Sequence, residues 1–344
     1  MKKILLLGLL FAFSLILSAQ NDELTKFVPS DIDGFACANV KALSAFPKFK
    51  EAVDNNQDPQ VVQFKNDLTQ AGIDVYDAFS DAILFFNSKT KKGGAIIKTK
   101  IDEPTFSKML DNRPQDTTPV KKTAIGGKTY YIFEKDNNKT ALVYLKPNII
   151  GVSDQPDEVA RFSSLTDKDN VTSNSKLMGY AAKADKKSPL WVVFEVDIKL
   201  PAQNNADQNN PAQQLFPFDN IQGGYFSLNF SGETNDTVNL NLHLNCKEQQ
   251  KAQILTLQIQ MMTAMAIPNI SKGNQEIADQ LSKALNFANE ENDIVIKVQL
   301  TPSLQDELSK MAENNQLDFN NIQMQPPTAP KKKKAPKAAP AHGQ

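Results

Sequence analysis

The chain has 344 residues, 40% of them hydrophobic, enough apolar matter for one enlarged domain or two ordinary ones. Formal net charge is -1, but two lysines lie at the start (Lys2, Lys3) and five follow Pro330, so the stretch between holds 31 basic residues against 39 acidic ones. An acidic body with a basic end excludes broad nucleic-acid binding, which needs a positive face against the phosphates. Two histidines and two cysteines leave little material for metal or nucleophile chemistry.

Met1 to Ala19 reads as an export leader. Lys2-Lys3 form a charged start, Ile4 to Leu17 an apolar run, and Leu17-Ser18-Ala19 a small-residue cleavage site. The run is short for a membrane span. The expected mature chain therefore begins at Gln20, has no span, and is periplasmic or secreted from a bacterium. In an oxidising compartment Cys37 and Cys246 could form a disulfide, although both fall in expected strands and equally suit buried free thiols.

Asp33-Gly34 opens a strand, Phe35 to Val40. Helical stretches follow at Leu43–Val53, interrupted near Pro47, and from Pro59 to Gly72. A helical turn is expected at Asp74–Phe79, then a hairpin at Ala82–Asn87 and Ala95–Ile101 with Gly93-Gly94 in its turn. A helix from Pro104 ends at Asn112. Strands at Val120–Ile125, Lys128–Glu134, Thr140–Lys146 and Ile149–Val152 are separated by Gly126-Gly127, Asp136-Asn137-Asn138 and Pro147-Asn148. A short helix at Pro156–Leu165 leads to a polar connector, 167–187, with helix expected around Leu177–Ala182.

Leu190 to Val196 is a strand again, and Gln203 to Gln214 a polar loop. The clearest signal lies between Gly223 and Met265. Val238, Leu240, Leu242, Leu244 and Cys246 alternate with Asn239, Asn241, His243 and Asn245, so this strand has an apolar and an amide-rich face. Paired with Tyr225–Phe230 it makes a hairpin. The period then changes to helical. Asn245 with Glu248 resembles a capping box, and Ala252, Leu255, Ile259, Met262 and Ala266 form one apolar face. Ile254, Leu257, Met261 and Met265 widen that face, so the helix reads as buried on most sides, up to Pro268. Ile277, Leu281, Leu285 and Ala288 mark another helix, Asp293–Leu300 a strand, and Leu304 to Met311 the last helix. From Asn314 on, the composition is that of a disordered Pro/Lys/Ala tail.

The two halves, 20–187 and 188–313, share an order of strand, helix or loop, hairpin, helix, strand. The expected fold is α+β: two β-α-β-β-α-β-like halves, antiparallel sheets, helices on one face. The run Phe27-Val28-Pro29-Ser30-Asp31-Ile32-Asp33-Gly34-Phe35, then Asn39-Val40-Lys41-Ala42-Leu43 and Pro47-Lys48-Phe49-Lys50, resembles the opening of exported bacterial proteins of unknown function. Gly72-Ile73-Asp74, Ile83-Leu84-Phe85 and Gly93-Gly94-Ala95-Ile96-Ile97 continue that pattern, over roughly the first 150 residues. The resemblance implies an exported, duplicated, ferredoxin-like α+β protein with no assigned reaction, and brings no functional residue with it.

Catalytic constellations are missing from the sequence. Neither His243 nor His342 has a ligand-type neighbour at zinc spacing, and no Gly-x-Ser-x-Gly elbow presents a serine. Asp31-Ile32-Asp33-Gly34 and Asp167-Lys168-Asp169-Asn170 resemble fragments of calcium loops but place Phe35 and Val171 where oxygen ligands belong. Trp191 and Phe194 read as core. No cofactor is implied. The leading expectation is a non-enzymatic envelope protein that binds or scaffolds an anionic envelope component or another envelope protein, with Lys331, Lys332, Lys333, Lys334 and Lys337 as candidate contacts to an anionic surface. The alternative is a carboxylate-dependent envelope hydrolase acting on glycans, for which pairs such as Glu290-Glu291 would serve.

Overall fold

The computed structural model describes residues 22–112, 119–135, 138–196 and 220–313. The leader, the Gln203–Gln214 loop and the lysine-rich tail lie outside the described residues. The class is α+β, with twelve antiparallel strands in one open sheet.

The first half contains α1 (Asp22–Thr25), β1 (Gly34–Asn39), α2 (Val40–Leu43), α3 (Pro47–Asp54), α4 (Pro59–Gln70), β2 (Phe79–Asn87), β3 (Lys92–Thr99), α5 (Glu103–Asp111), β4 (Val120–Ile125), β5 (Lys128–Lys135), β6 (Asn138–Lys146), β7 (Ile149–Ser153), α6 (Pro156–Phe162) and α7 (Ser175–Lys183). The second contains β8 (Leu190–Glu195), β9 (Ile221–Ser231), β10 (Thr237–Cys246), α8 (Gln249–Ile270), α9 (Gln275–Ala284), β11 (Leu285–Glu290), β12 (Asp293–Leu300) and α10 (Pro302–Glu313). Caps explain several boundaries. Asn39, Asp102 and Asn274 each accept a backbone N–H at a helix start, and Pro47, Pro59 and Pro156 fill the first helical position, where no donor is needed.

The strand order is β11-β12-β10-β9-β8-β1-β2-β3-β7-β6-β5-β4. Read outward from the centre, β1-β2-β3-β7 matches β8-β9-β10-β12. The duplication is therefore real in topology, and the halves join through the antiparallel pair β1–β8, in which Ala36 faces Val192. The order is a meander, not the ferredoxin-like one. In a split β-α-β unit the first two strands run parallel with another between them, whereas β1 and β2 are antiparallel neighbours, with Ala36 opposite Leu84.

Helices cover both faces of the first half, a second departure from the expected one-sided layer. Phe35, Ile83 and Ile96 point into a core with Leu24 of α1, Phe162 of α6 and Leu177 of α7. Ala82, Ala95 and Ile97 point the other way, against Leu68 of α4 and Met109 of α5. In the second half α8, α9 and α10 share one face, where Leu244, Ile294 and Ile296 meet Ala252 and Leu255. Gly93 and Gly94 lie inside β3 rather than in a turn. A Cβ on Gly94 would come within 2.8 Å of the Val152 carbonyl oxygen, so the residue is there for close strand packing. The edge strand β4 carries Lys121 and Lys122, charges that oppose pairing with another chain.

Candidate binding surfaces of the second half

The helix α8 is built from strong helix formers, chiefly Gln, Leu, Met and Ala. The expected capping box is not formed. Asn245 is still in β10, where its amide donates to Asp293 Oδ1 (2.6 Å) and its oxygen accepts from the Tyr180 hydroxyl (3.4 Å). The helix also runs through Pro268 to Ile270, because the proline lies in the last turn and breaks little of the ladder. Ala252, Leu255 and Thr256 bury one face, with Thr256 Oγ1 donating to the Ala252 carbonyl (2.9 Å) and accepting from Asn289 Nδ2 (2.8 Å).

The opposite face is open, which corrects the expectation that α8 is buried on most sides. Ile254, Leu257, Met261 and Met265 are 42%, 60%, 59% and 50% exposed. They recur every three or four residues and form one stripe about 16 Å long. Lys251 is the one charged residue in the helix. Beside the stripe, α8 and α9 leave a groove of about 470 Å³ of mixed character, where Ala264, Ala278, Leu285 and Phe287 lie among Gln260, Thr263, Asn274, Gln275 and Ser282, with Asp279 as its one charged residue.

The other face of β8–β12 is mixed, with Trp191, Val193 and Val295 buried among polar side chains. Trp191, Ser227 and Asn241 occupy one rung across three strands, and Tyr225 and His243 the next. The imidazole of His243 stacks on Tyr225, with ring centroids 4.3 Å apart and planes 12° from parallel. Trp191 Nε1, Asn241 Oδ1 and His243 Nδ1 are buried without a protein hydrogen-bond partner. Burial lowers the His243 pKa; Glu290 and Asp293 oppose this, and Lys297 and Lys183 add to it. Among the described residues no carboxylate or hydroxyl bonds to Nδ1 of this ring, the contact that orients the histidine of a hydrolytic relay.

The shift of His243 gives a stability prediction. The folded chain holds the proton less tightly than the unfolded chain, whose histidine titrates near 6.5. The unfolded state therefore gains from protonation, and the contribution present above 6.5 is lost as the pH falls through the lowered folded value. Urea unfolding at several pH values between 5 and 8 should show the wild type losing stability on acidification, with a flatter profile for His243→Gln. Identical profiles for the two would refute this.

Other residues singled out in the sequence take structural roles. Cys37 and Cys246 are both buried and free. They sit in separate cores, with β8 and β9 between their strands, which alone sets them at least about 14 Å apart, too far for the S–S bond considered above. Burial raises the Cys246 thiol to about 11, so it is unreactive at neutral pH. Trp191 is core, edge-on to Phe35. Asp31 pairs with Arg161 (2.8 Å) and Asp33 accepts the Ser88 backbone N–H (2.6 Å), turn and docking roles rather than cation ligation. Among the described residues no cluster of three metal-ligating side chains occurs. Glu290 and Glu291 are exposed at the β11–β12 turn. Glu23, Asp102 and Asp306 all have lowered pKa values, through hydrogen bonds with Lys146, Thr105 and Lys48, the opposite of what a general acid requires.

These features define an open, twelve-stranded antiparallel α+β sheet whose second half carries an exposed apolar helix stripe on one face and a stacked Tyr225–His243 pair on the other. No family model matches the chain, and no curated protein matches it. Among solved structures it is similar to TP0453. Crystal form III aligns with a TM-score of 0.47 at 11% identity, over 83% of this chain and 96% of that one. Form IV gives 0.44 at 11% identity, over 84% and 96%, and form I gives 0.43 at 13%, over 85% and 97%. Among the described residues no helix is long and apolar enough to cross a membrane.

Proposed function

We propose that the mature chain is an exported protein of the bacterial envelope that works by binding or scaffolding, not by catalysis, and that the open face of α8 is its docking element. The observation that carries this reading is the exposure of Ile254, Leu257, Met261 and Met265 on one side of a helix with a single charge. Apolar side chains held in water gain free energy when covered, about 25 cal/mol for each Å² removed. Catalysis finds no comparable support in the acids and histidine described above. The lysines Lys331–Lys334 and Lys337 supply a second, electrostatic contact, to anionic components of the envelope.

The test is photo-crosslinking in the native envelope. A photoreactive amino acid replaces Leu257 or Met261, with exposed Lys168 as the control site. Adducts should form at both α8 positions and not at the control, on a chain whose intact mass begins at Gln20. Raising salt should release the full chain from the envelope, and truncation after Gln325 should remove that salt dependence. Absence of adducts at both α8 sites would sink the reading.

A further inference from the structure

We propose that the open stripe of α8 docks a second copy of this chain, helix against helix and antiparallel about a two-fold axis. This deepens the binding reading above and rests on it. The stripe is nearly palindromic in spacing: Ile254 and Met265 are its ends, Leu257 and Met261 its middle pair. Reversing the chain direction sets Ile254 opposite Met265 of the second copy and Leu257 opposite its Met261. A patch that matches its own reverse is what a two-fold interface requires.

The charges agree with this arrangement. With no acid and one lysine among the 22 residues of α8, no like-charge pair faces itself across the axis. The antiparallel pairing places Lys251 opposite Pro268, at the C-terminal end of the other helix, where the helix dipole favours a cation.

A lipid surface fits less well. Helices that lie in a membrane interface have a strongly charged polar face, and α8 has one charged residue in all. A standard interface buries about 800 Å² on each partner. Four side chains fall short of that, and the adjoining α8–α9 groove, where Ala278 and Leu285 lie among Gln260, Thr263, Asp279 and Ser282, adds a mixed apolar and polar margin to the contact.

The experiment is sedimentation equilibrium on the chain beginning at Gln20, with Leu257→Glu/Met261→Glu and Ile254→Glu/Met265→Lys variants. The wild type should be a dimer at micromolar concentration. The Glu/Glu variant should be a folded monomer by circular dichroism, its dissociation constant raised about 100-fold or more. Ile254→Glu alone should weaken the dimer, and adding Met265→Lys should restore it. Positions 254 and 265 lie about 16 Å apart on one helix, so they can pair only across an antiparallel interface. A wild-type monomer at every concentration, a dimer indifferent to the Glu/Glu change, or no rescue by Met265→Lys overturns the proposal. If the wild type is monomeric, yet photo-crosslinks at Leu257 capture lipid or a different protein, the second copy is excluded while the binding reading survives.

Discussion

Gly224→Val should unfold the second half, losing about 4 kcal/mol or more of stability. Gly224 lies in β9 opposite Leu244 of β10. A Cβ there would stand 2.0 Å from the His243 carbonyl oxygen, which is backbone and fixed in the ladder. Accommodating it means parting β9 from β10, and both strands are interior to the sheet. Gly223 beside it is equally constrained: at φ 151° its Cβ would meet the Phe194 carbonyl oxygen at 2.4 Å. Another glycine is a counter-example. Gly179 is inside α7, where an added Cβ would have nothing within 4 Å, so Gly179→Ala should stabilise by about 0.4–1 kcal/mol. Trp191, the single tryptophan, is buried in β8 next to β9 and reports the transition by its fluorescence in urea. Wild-type stability in the valine variant would mean that β9 and β10 are not paired in this register.

The hairpin behind that prediction was legible in the sequence because its signal is local. The alternation from Val238 to Cys246 states which residues share a face, and the pairing with Phe226, Leu228 and Phe230 follows that alternation. Burial is less uniform than the alternation implies. Leu240 and Leu242 are half-buried, while His243 on the amide-rich face is buried beneath its stack with Tyr225. Non-local information was not legible. Leu285 and Ala288 continue the helical spacing of Ile277 and Leu281, yet α9 stops at Ala284 and Leu285–Glu290 pairs with β12 instead. Asn286, Phe287 and Asn289 are poor helix formers, and the ladder with β12 decides between weak local preferences. The joining of the halves through β1 and β8 depends on residues more than 150 positions apart, such as Cys37 and Trp191, and no periodicity records such a pairing. The same limit applies to α8. Its sequence tells how many sides are apolar, but only the packed fold tells how many of them the chain itself covers.

Leu255→Asp and Leu257→Asp, two positions apart on α8, should therefore differ by several kcal/mol. Leu255 is fully buried against Cys246, Ile221 and Ile294. A carboxylate there has neither water nor a partner. It must be protonated or drive the helix off the sheet, at a cost of about 4 kcal/mol. Domains of ordinary stability hold about 5–15 kcal/mol in reserve, so this variant should be largely unfolded at modest urea. Leu257 is 60% exposed, and its aspartate would be solvated in the dilute single chain, with a change within about 0.5 kcal/mol. Both substitutions exchange the same leucine for the same acid in one helix, so helix propensity cancels between them and only burial remains. Urea unfolding followed by circular dichroism gives both values on one scale. Equal loss in both would place a covering element of this same chain over Leu257, and the open stripe would cease to exist as a docking face. Loss in Leu255→Asp alone leaves the stripe free for whatever it binds, and concentration-dependent melting of the wild type but not of Leu257→Asp would then tie that face to association.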